Sequence, residues 1–258
     1  MKNKQPIVIE NKNLYRTLTR VALPIALQSL ITSSLNLVDN LMVGSLGEVE
    51  LAAVGLSTQI YFVYWGVIFG FTSGSSAFTA QFWGKQDPHN IRRVTGFAIT
   101  VCFGFGMLFF IPSVFFPEYI LRIFTDIPAV IELGKDYVRI GAVCFLTLSI
   151  TVPFTTALRT TQQTSVPLKI SIIVFSTNTF LNYVFIFGNF GAPELGVKGA
   201  AVATAISRAI ELILVIYVIF GRRNVIAGKI TEFFDWHRAL VTRILSTAVP
   251  VMINETMW

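Results

Sequence analysis

Charge is what this sequence has least of. Only 13% of its 258 residues are Asp, Glu, Lys or Arg, while 53% are hydrophobic and the mean hydropathy is +0.67. Soluble domains carry about 25% charged residues. Halving that fraction leaves too little polar surface to coat a water-soluble globule of this length, so lipid is the natural solvent. Histidine is confined to His89 and His237, both in charged segments, and cysteine to Cys102 and Cys144, both inside apolar runs. Cys in such runs acts as a small hydrophobe, so neither a disulfide nor a metal cluster is encoded. The HExxH, CxxC, Walker A and GxSxG patterns are missing, so there is no motif for metal or nucleophilic catalysis or for ATP hydrolysis. The chain reads as a non-enzyme without a cofactor. Its net charge of +6 lies in short clusters with no basic face and no interleaved aromatics, which does not describe a nucleic-acid binder. The first 20 residues are too polar for a signal-peptide core, and the apolar run that follows lacks a cleavage site.

What the sequence does have is long apolar runs. A membrane span needs about 20 apolar residues. Candidate spans cover roughly Thr17 to Gly44, Leu51 to Gly84, Val94 to Pro117, Ile140 to Leu158, Ile170 to Phe190 and Leu195 to Phe220. A seventh begins near Ala239 and runs to Trp258. The second holds no charge over its whole length, so it must tilt or extend beyond the hydrocarbon core. The fold class is therefore an all-α polytopic membrane protein. A six-helix lobe occupies residues 1–220, an inter-lobe linker 221–238, and the start of a second lobe 239–258.

The connections allow an orientation test. Fifteen basic residues lie on the side of the N-terminus, among them Lys2, Lys4, Lys85, Arg92, Arg93, Arg222, Arg223 and Arg238, against four acids. The opposite side has four basic residues and seven acids. The positive-inside rule predicts a cytoplasmic N-terminus in the cell membrane. An internal echo adds to this: Ala22-Leu23-Pro24-Ile25-Ala26-Leu27-Gln28 resembles Ala248-Val249-Pro250-Val251-Met252-Ile253-Asn254, 226 residues on. Six spans separate the two, so the copies would be parallel repeats. A second lobe in the same chain is the expectation, with a parallel homodimer as the alternative.

An ionisable group at membrane depth is costly and raises a functional hypothesis. Asp39 lies late in the first span with no basic residue within a helical turn; by position alone it is either an ion ligand or a carboxylate solvated near the interface. Arg208 and Glu211 sit three apart in the sixth span and read as an internally neutralised structural pair. Glu255 follows Pro250 in the middle of an apolar stretch. Asn178 and Asn182 are four apart and share a face of the fifth span, and Thr204 is in the sixth. Oxygen groups of these types suit hard cations, but helix-to-helix hydrogen bonding is the plainer reading of the residues alone. Gly66, Gly70 and Gly74 form a small-residue ridge suited to close helix packing.

Several stretches together carry a family resemblance. Val38-Asp39-Asn40-Leu41-Met42-Val43-Gly44-Ser45-Leu46-Gly47, continuing through Leu51-Ala52-Ala53-Val54-Gly55, resembles the first-helix signature of the multidrug and toxic compound extrusion (MATE) family. Ala80-Gln81 with Gly84, Leu158-Arg159 with Thr164 and Pro167, and Asn182-Tyr183 with Phe187-Gly188 fit the same pattern, as do Gly199-Ala200-Ala201, Ala203-Thr204, Pro250 and Glu255. The resemblance implies half of a twelve-helix, two-lobe antiporter that exports organic, often cationic, compounds in exchange for Na⁺ or H⁺. It implies that Asp39 binds the coupling ion, with Asn178, Asn182 and Thr204 at neighbouring cation-site positions. Pro24 matches a proline at a helix bend, and Glu255 a coupling acid of the other lobe. Some relatives carry an acid where this chain has Asn182. The expected partners are a small organic substrate, the coupling cation and membrane lipids. A lipid-linked flippase of the same superfamily and a non-transporting membrane scaffold are the alternatives; the lone intramembrane acids count against the scaffold.

Overall fold

Proline and glycine set the helix boundaries of the computed structural model, which describes residues 11–222 and 224–257. Lys2, Lys4, Arg223 and Trp258 lie outside the described residues. The first helix, α1 (Asn11–Gly44), contains Pro24. It is followed by α2 (Glu48–Gly84), whose 37 residues make it about 55 Å long at 1.5 Å per residue. Asp87 caps α3 (Pro88–Phe115): its carboxylate accepts from the Asn90 backbone N–H at 3.1 Å, with Pro88 in the first turn. Asp and Pro at these two positions are a helix-start signal. Two shorter helices follow, α4 (Pro117–Leu121) and α5 (Pro128–Gly141). After them come α6 (Val143–Thr160), with Pro153 inside, and α7 (Ser165–Phe187). Gly188 ends α7 at φ 69, a left-handed conformation that favours glycine. The remaining helices are α8 (Val197–Ile216), continued by one π turn, the short α9 (Ile230–Phe233), and α10 (Arg238–Met257).

Six of these helices are long and apolar enough to cross a membrane. They are α1, α2, α3, α6, α7 and α8, matching the six expected spans. Two boundaries move inward: α7 stops at Phe187 and α8 starts at Val197, because glycines with positive φ at 188, 191 and 196 break the backbone between them. A further difference is α5, an amphipathic helix where a loop was expected. Its charges hide it from a hydropathy reading, yet Val130, Ile131, Gly134 and Val138 are buried at helical spacing.

Aromatic and branched side chains fill the core where α2, α3 and α6 meet, centred on Tyr64, Ile68, Phe71 and Phe145. The Tyr64 hydroxyl donates to the Phe145 carbonyl at 2.6 Å, so the one polar atom of that ring is satisfied inside the core. A second cluster joins α6, α7 and α8 through Phe154, Leu158, Val174 and Ile219, and the linker adds Ile226 and Phe233 to it. The linker is thus part of the lobe and not a free tether. Arg92 pairs with Glu232 at 2.8 Å, Arg93 with Asp235, and His89 Nε2 lies 3.6 Å from Asp235. Gln163 and Asn224 exchange amide hydrogen bonds at 3.2 and 2.5 Å. A Cβ at Gly96 would sit 1.9 Å from the Phe233 carbonyl oxygen, so the linker backbone docks where only glycine leaves room.

The glycine ridge receives α10. A Cβ at Gly70 would lie 2.5 Å from Met252 Cα, one at Gly74 2.5 Å from Ala248 Cα, and one at Gly66 3.2 Å from the Glu255 carbonyl oxygen. Backbone meets backbone along about two turns, which is what small-xxx-small spacing permits.

Two predictions follow from this packing. Gly70→Val should lower stability in detergent by about 1–3 kcal/mol through overpacking, whereas Gly104→Val, with open space around it, should leave the thermal midpoint unchanged. The linker clasp should also be insensitive to pH near neutrality. A hydrogen bond from Arg93 holds the Asp235 carboxyl below its usual range, and hydrogen bonds from Asn90 do the same for Asp87. A lowered folded-state pKa gives stability that is complete above the unfolded value and lost as pH falls through the folded one. Limited proteolysis between residues 222 and 237 should therefore stay flat from about pH 8 to about pH 5 and rise only below about pH 4.

Candidate functional site

The fifth span supplies the centre of the polar site. Asn178 and Asn182 are one turn apart on α7, so they present their amides on one face, and both are buried. On one side α7 packs against α1, on the other against α8, which carries polar groups from three helices to one place. Asn182 Nδ2 donates to Asp39 Oδ1 at 2.5 Å and to Asn178 Oδ1 at 3.2 Å. Asn178 Nδ2 donates in turn to Thr204 Oγ1 at 3.4 Å. The chain Asp39–Asn182–Asn178–Thr204 thus links α1, α7 and α8. Four of the sequence-derived candidates are brought together.

The site is rich in oxygen. The Asp39 carboxylate, two amide carbonyls and a hydroxyl are hard donors of the kind that alkali and alkaline-earth cations take. One of them is unused: Asn182 Oδ1 is buried and accepts no hydrogen bond. A buried acceptor without a partner costs about 1–3 kcal/mol, and a bound cation would relieve that cost. The residues fit such an ion. Among the described residues no group of three or more His, Cys, Asp or Glu side chains gathers to hold a transition metal.

Two further groups lie within electrostatic reach of Asp39: Tyr137, which the sequence does not mark, and Arg208, whose place there its spacing from Glu211 does not reveal. Tyr137 on α5 lies close enough for its phenol to interact with the Asp39 charge. Its signal was the helical spacing of α5, masked by neighbouring charges. Arg208 on α8 also interacts with Asp39, while pairing with Glu211 at 2.7 Å as expected for a neutralised pair.

Glu255 and Pro24 lie elsewhere. Glu255 is on α10 above Gly66 and Gly70 of α2 and makes none of the hydrogen bonds of the Asp39 cluster. Pro24 is inside α1, where its ring removes one backbone hydrogen bond. One turn after it, the buried Gln28 ties α1 to two neighbours. Gln28 Nε2 donates to Ser171 Oγ on α7 at 2.9 Å, and Arg159 of α6 donates to Gln28 Oε1 through Nη2 at 2.8 Å and Nε at 3.3 Å. This tie connects residues 143 and 131 positions apart, so nothing local in the sequence marks it.

The described residues thus form a helical lobe of six membrane-length helices with a buried oxygen cluster between the first, fifth and sixth of them. The MatE family model matches residues 24–184, and the chain belongs to that family. A probable multidrug resistance protein of Bacillus subtilis (strain 168), YoeA, is 28% identical over 258 residues, covering 98% of this chain and 56% of the relative. A probable multidrug resistance protein NorM of Rhizobium meliloti (strain 1021) is 31% identical over 204 residues, covering 78% of this chain and 44% of the relative. The chain spans about half the length of these curated relatives. The solved outward-facing conformation of a multidrug resistance MATE family transporter of the MOP superfamily matches with a TM-score of 0.82. At 20% identity it covers 93% of this chain and 52% of that one, and it shares the fold.

Removing the Gln28 tie tests its structural weight. Gln28→Ala leaves Arg159 without its acceptor in a half-buried place, and stability in detergent should fall by about 1–3 kcal/mol, read as a lower thermal midpoint.

Proposed function

We propose that this protein works as a cation-coupled antiporter that exports organic, often cationic, compounds from the cell membrane in exchange for Na⁺ or H⁺. The observation that carries the reading is the buried chain Asp39–Asn182–Asn178–Thr204 with an unpartnered amide oxygen at Asn182. A scaffold has no use for a buried ionisable group and an orphaned acceptor within its spans, because each is costly in lipid. The multidrug resistance names of the relatives support the substrate class. In this reading the N-terminus is cytoplasmic, which the basic loops support, and the lobe works beside a second lobe of the same chain in a twelve-helix molecule. Glu255 would serve that second lobe.

The coupling follows from electrostatics. A carboxylate in a low-dielectric cavity binds a proton or a metal cation more readily than one in water. Cation binding at Asp39 changes what Asn182 can donate to, and the Asn182–Asp39 bond is one of the side-chain ties between α1 and α7, beside that of Gln28 to Ser171. The Gln28 tie anchors α1 just beyond Pro24, so the helix has one fixed segment and one whose partner depends on the ion. An ion that favours one packing of α1 shifts the population toward it.

Asp39→Asn decides the matter. The variant should insert and purify as the unaltered protein does, yet lose export of an organic-cation dye driven by a Na⁺ or pH gradient in proteoliposomes. Full gradient-driven export by that variant would sink the proposal.

A further inference from the structure

Arg208 and Glu211 are the charged pair in the membrane that the coupling chain leaves unused. They bond to each other at 2.7 Å with most of both side chains shielded, and a pair that only neutralised itself would end the matter there. Three observations say more. Arg208 is one helical turn beyond Thr204 on α8, so it continues the face that carries the cluster. Its guanidinium and the Asp39 carboxylate interact across the site. Tyr61 on α2, whose buried hydroxyl has no hydrogen-bond partner, also lies within electrostatic reach of Arg208.

We propose that Arg208 is a resident counter-cation of the coupling site, a positioning residue held back from Asp39 by Glu211. The inference rests on the reading of Asp39 as the coupling residue. When the driving cation sits on Asp39, Arg208 is repelled and stays on Glu211. When the cation leaves, the bare carboxylate is partly compensated by a guanidinium that never has to cross the membrane. The pair thereby sets how tightly the site holds its ion, because Asn182 contributes no charge of its own. The charged and titratable groups facing Asp39 or Arg208 are Tyr61 on α2, Tyr137 on α5, Cys144 on α6 and Glu211 on α8. From α7 come only the neutral amides of Asn178 and Asn182. None of these except Glu211 can offset the guanidinium. A unit charge added or removed beside Asp39 changes its ion affinity in the direction fixed by the sign of that charge.

The test uses the full-length native protein in proteoliposomes, with ethidium as the exported cation and external Na⁺ or H⁺ as the driving ion. Glu211→Gln releases Arg208 toward Asp39 and should raise the driving-ion concentration for half-maximal export roughly three- to tenfold. Arg208→Gln should shift it the opposite way by a similar factor. The double variant Arg208→Glu with Glu211→Arg keeps the ion pair and reverses its polarity next to Asp39, so it too should lower the half-maximal concentration. A purely structural pair predicts a different pattern: lower detergent stability in both single variants and a swap without effect on the driving-ion dependence. That pattern would overturn the inference. Should the single variants fail to fold, the swap alone decides. Cation-independent export by the unaltered protein would overturn the proposed function and this inference with it. Cation-dependent export that the swap leaves unshifted would overturn only this inference.

Discussion

Lipid offers no hydrogen bonds, so every polar atom placed between the membrane faces has to find its partner within the protein. Most side chains in this lobe do so locally: Ser57, Thr72, Ser75 and Ser207 each donate to the carbonyl four residues back on their own helix, which keeps the hydroxyl satisfied without fixing a neighbour. Tyr64 goes further and spends its hydroxyl on the Phe145 carbonyl of another helix. Asn182 is different in kind. Its amide nitrogen serves two acceptors, one of them on α1, while its oxygen serves none. The shape of the oxygen cluster depends on that asymmetry, and the outer part of α1 is tied to α7 through it.

The cluster is also complete within the lobe. Asp39, Asn178, Asn182 and Thr204 come from three helices of one six-span unit, and none of their hydrogen bonds reaches α10 or Glu255. A cation bound here would draw its side-chain oxygens from this six-span unit alone. The neutral side chain at 182 makes that site less negative than a two-carboxylate version, which raises the importance of every other charge nearby.

Legibility in the sequence tracked the range of the interaction. The six spans could be read because hydropathy is a property of consecutive residues, and Asn178 with Asn182 because helical periodicity puts them on one face. Asp39 stood out through isolation, but its pairing with Asn182 joins positions 143 apart, and only the family resemblance pointed there. Tyr137 escaped because α5 mixes Lys135, Asp136 and Arg139 with its buried positions, so a span search passes over it. The Gln28–Arg159–Ser171 tie and the docking of the linker through Arg92, Arg93 and Phe233 were invisible for the same reason. The glycine ridge lay between these cases: Gly66, Gly70 and Gly74 announced a close approach, and the sequence did not say that the arriving helix was α10.

That ridge has a mechanical side. Helices usually interlock by seating side chains of one in the grooves of the other, and sliding such a pair means lifting each knob out of its hole. Where α10 crosses Gly66, Gly70 and Gly74 there are no knobs on the α2 side, and the opposing atoms at Met252 and Ala248 are main-chain atoms. The contact resembles a bearing more than a gear. Displacement of α10 along or about α2 would require no rotamer change at these three glycines, so what resists shear along the seam is the seating of Leu240 and Ile244 in the core. The same absence of side chains that allows backbone to meet backbone here also removes the steric interlock at these three positions.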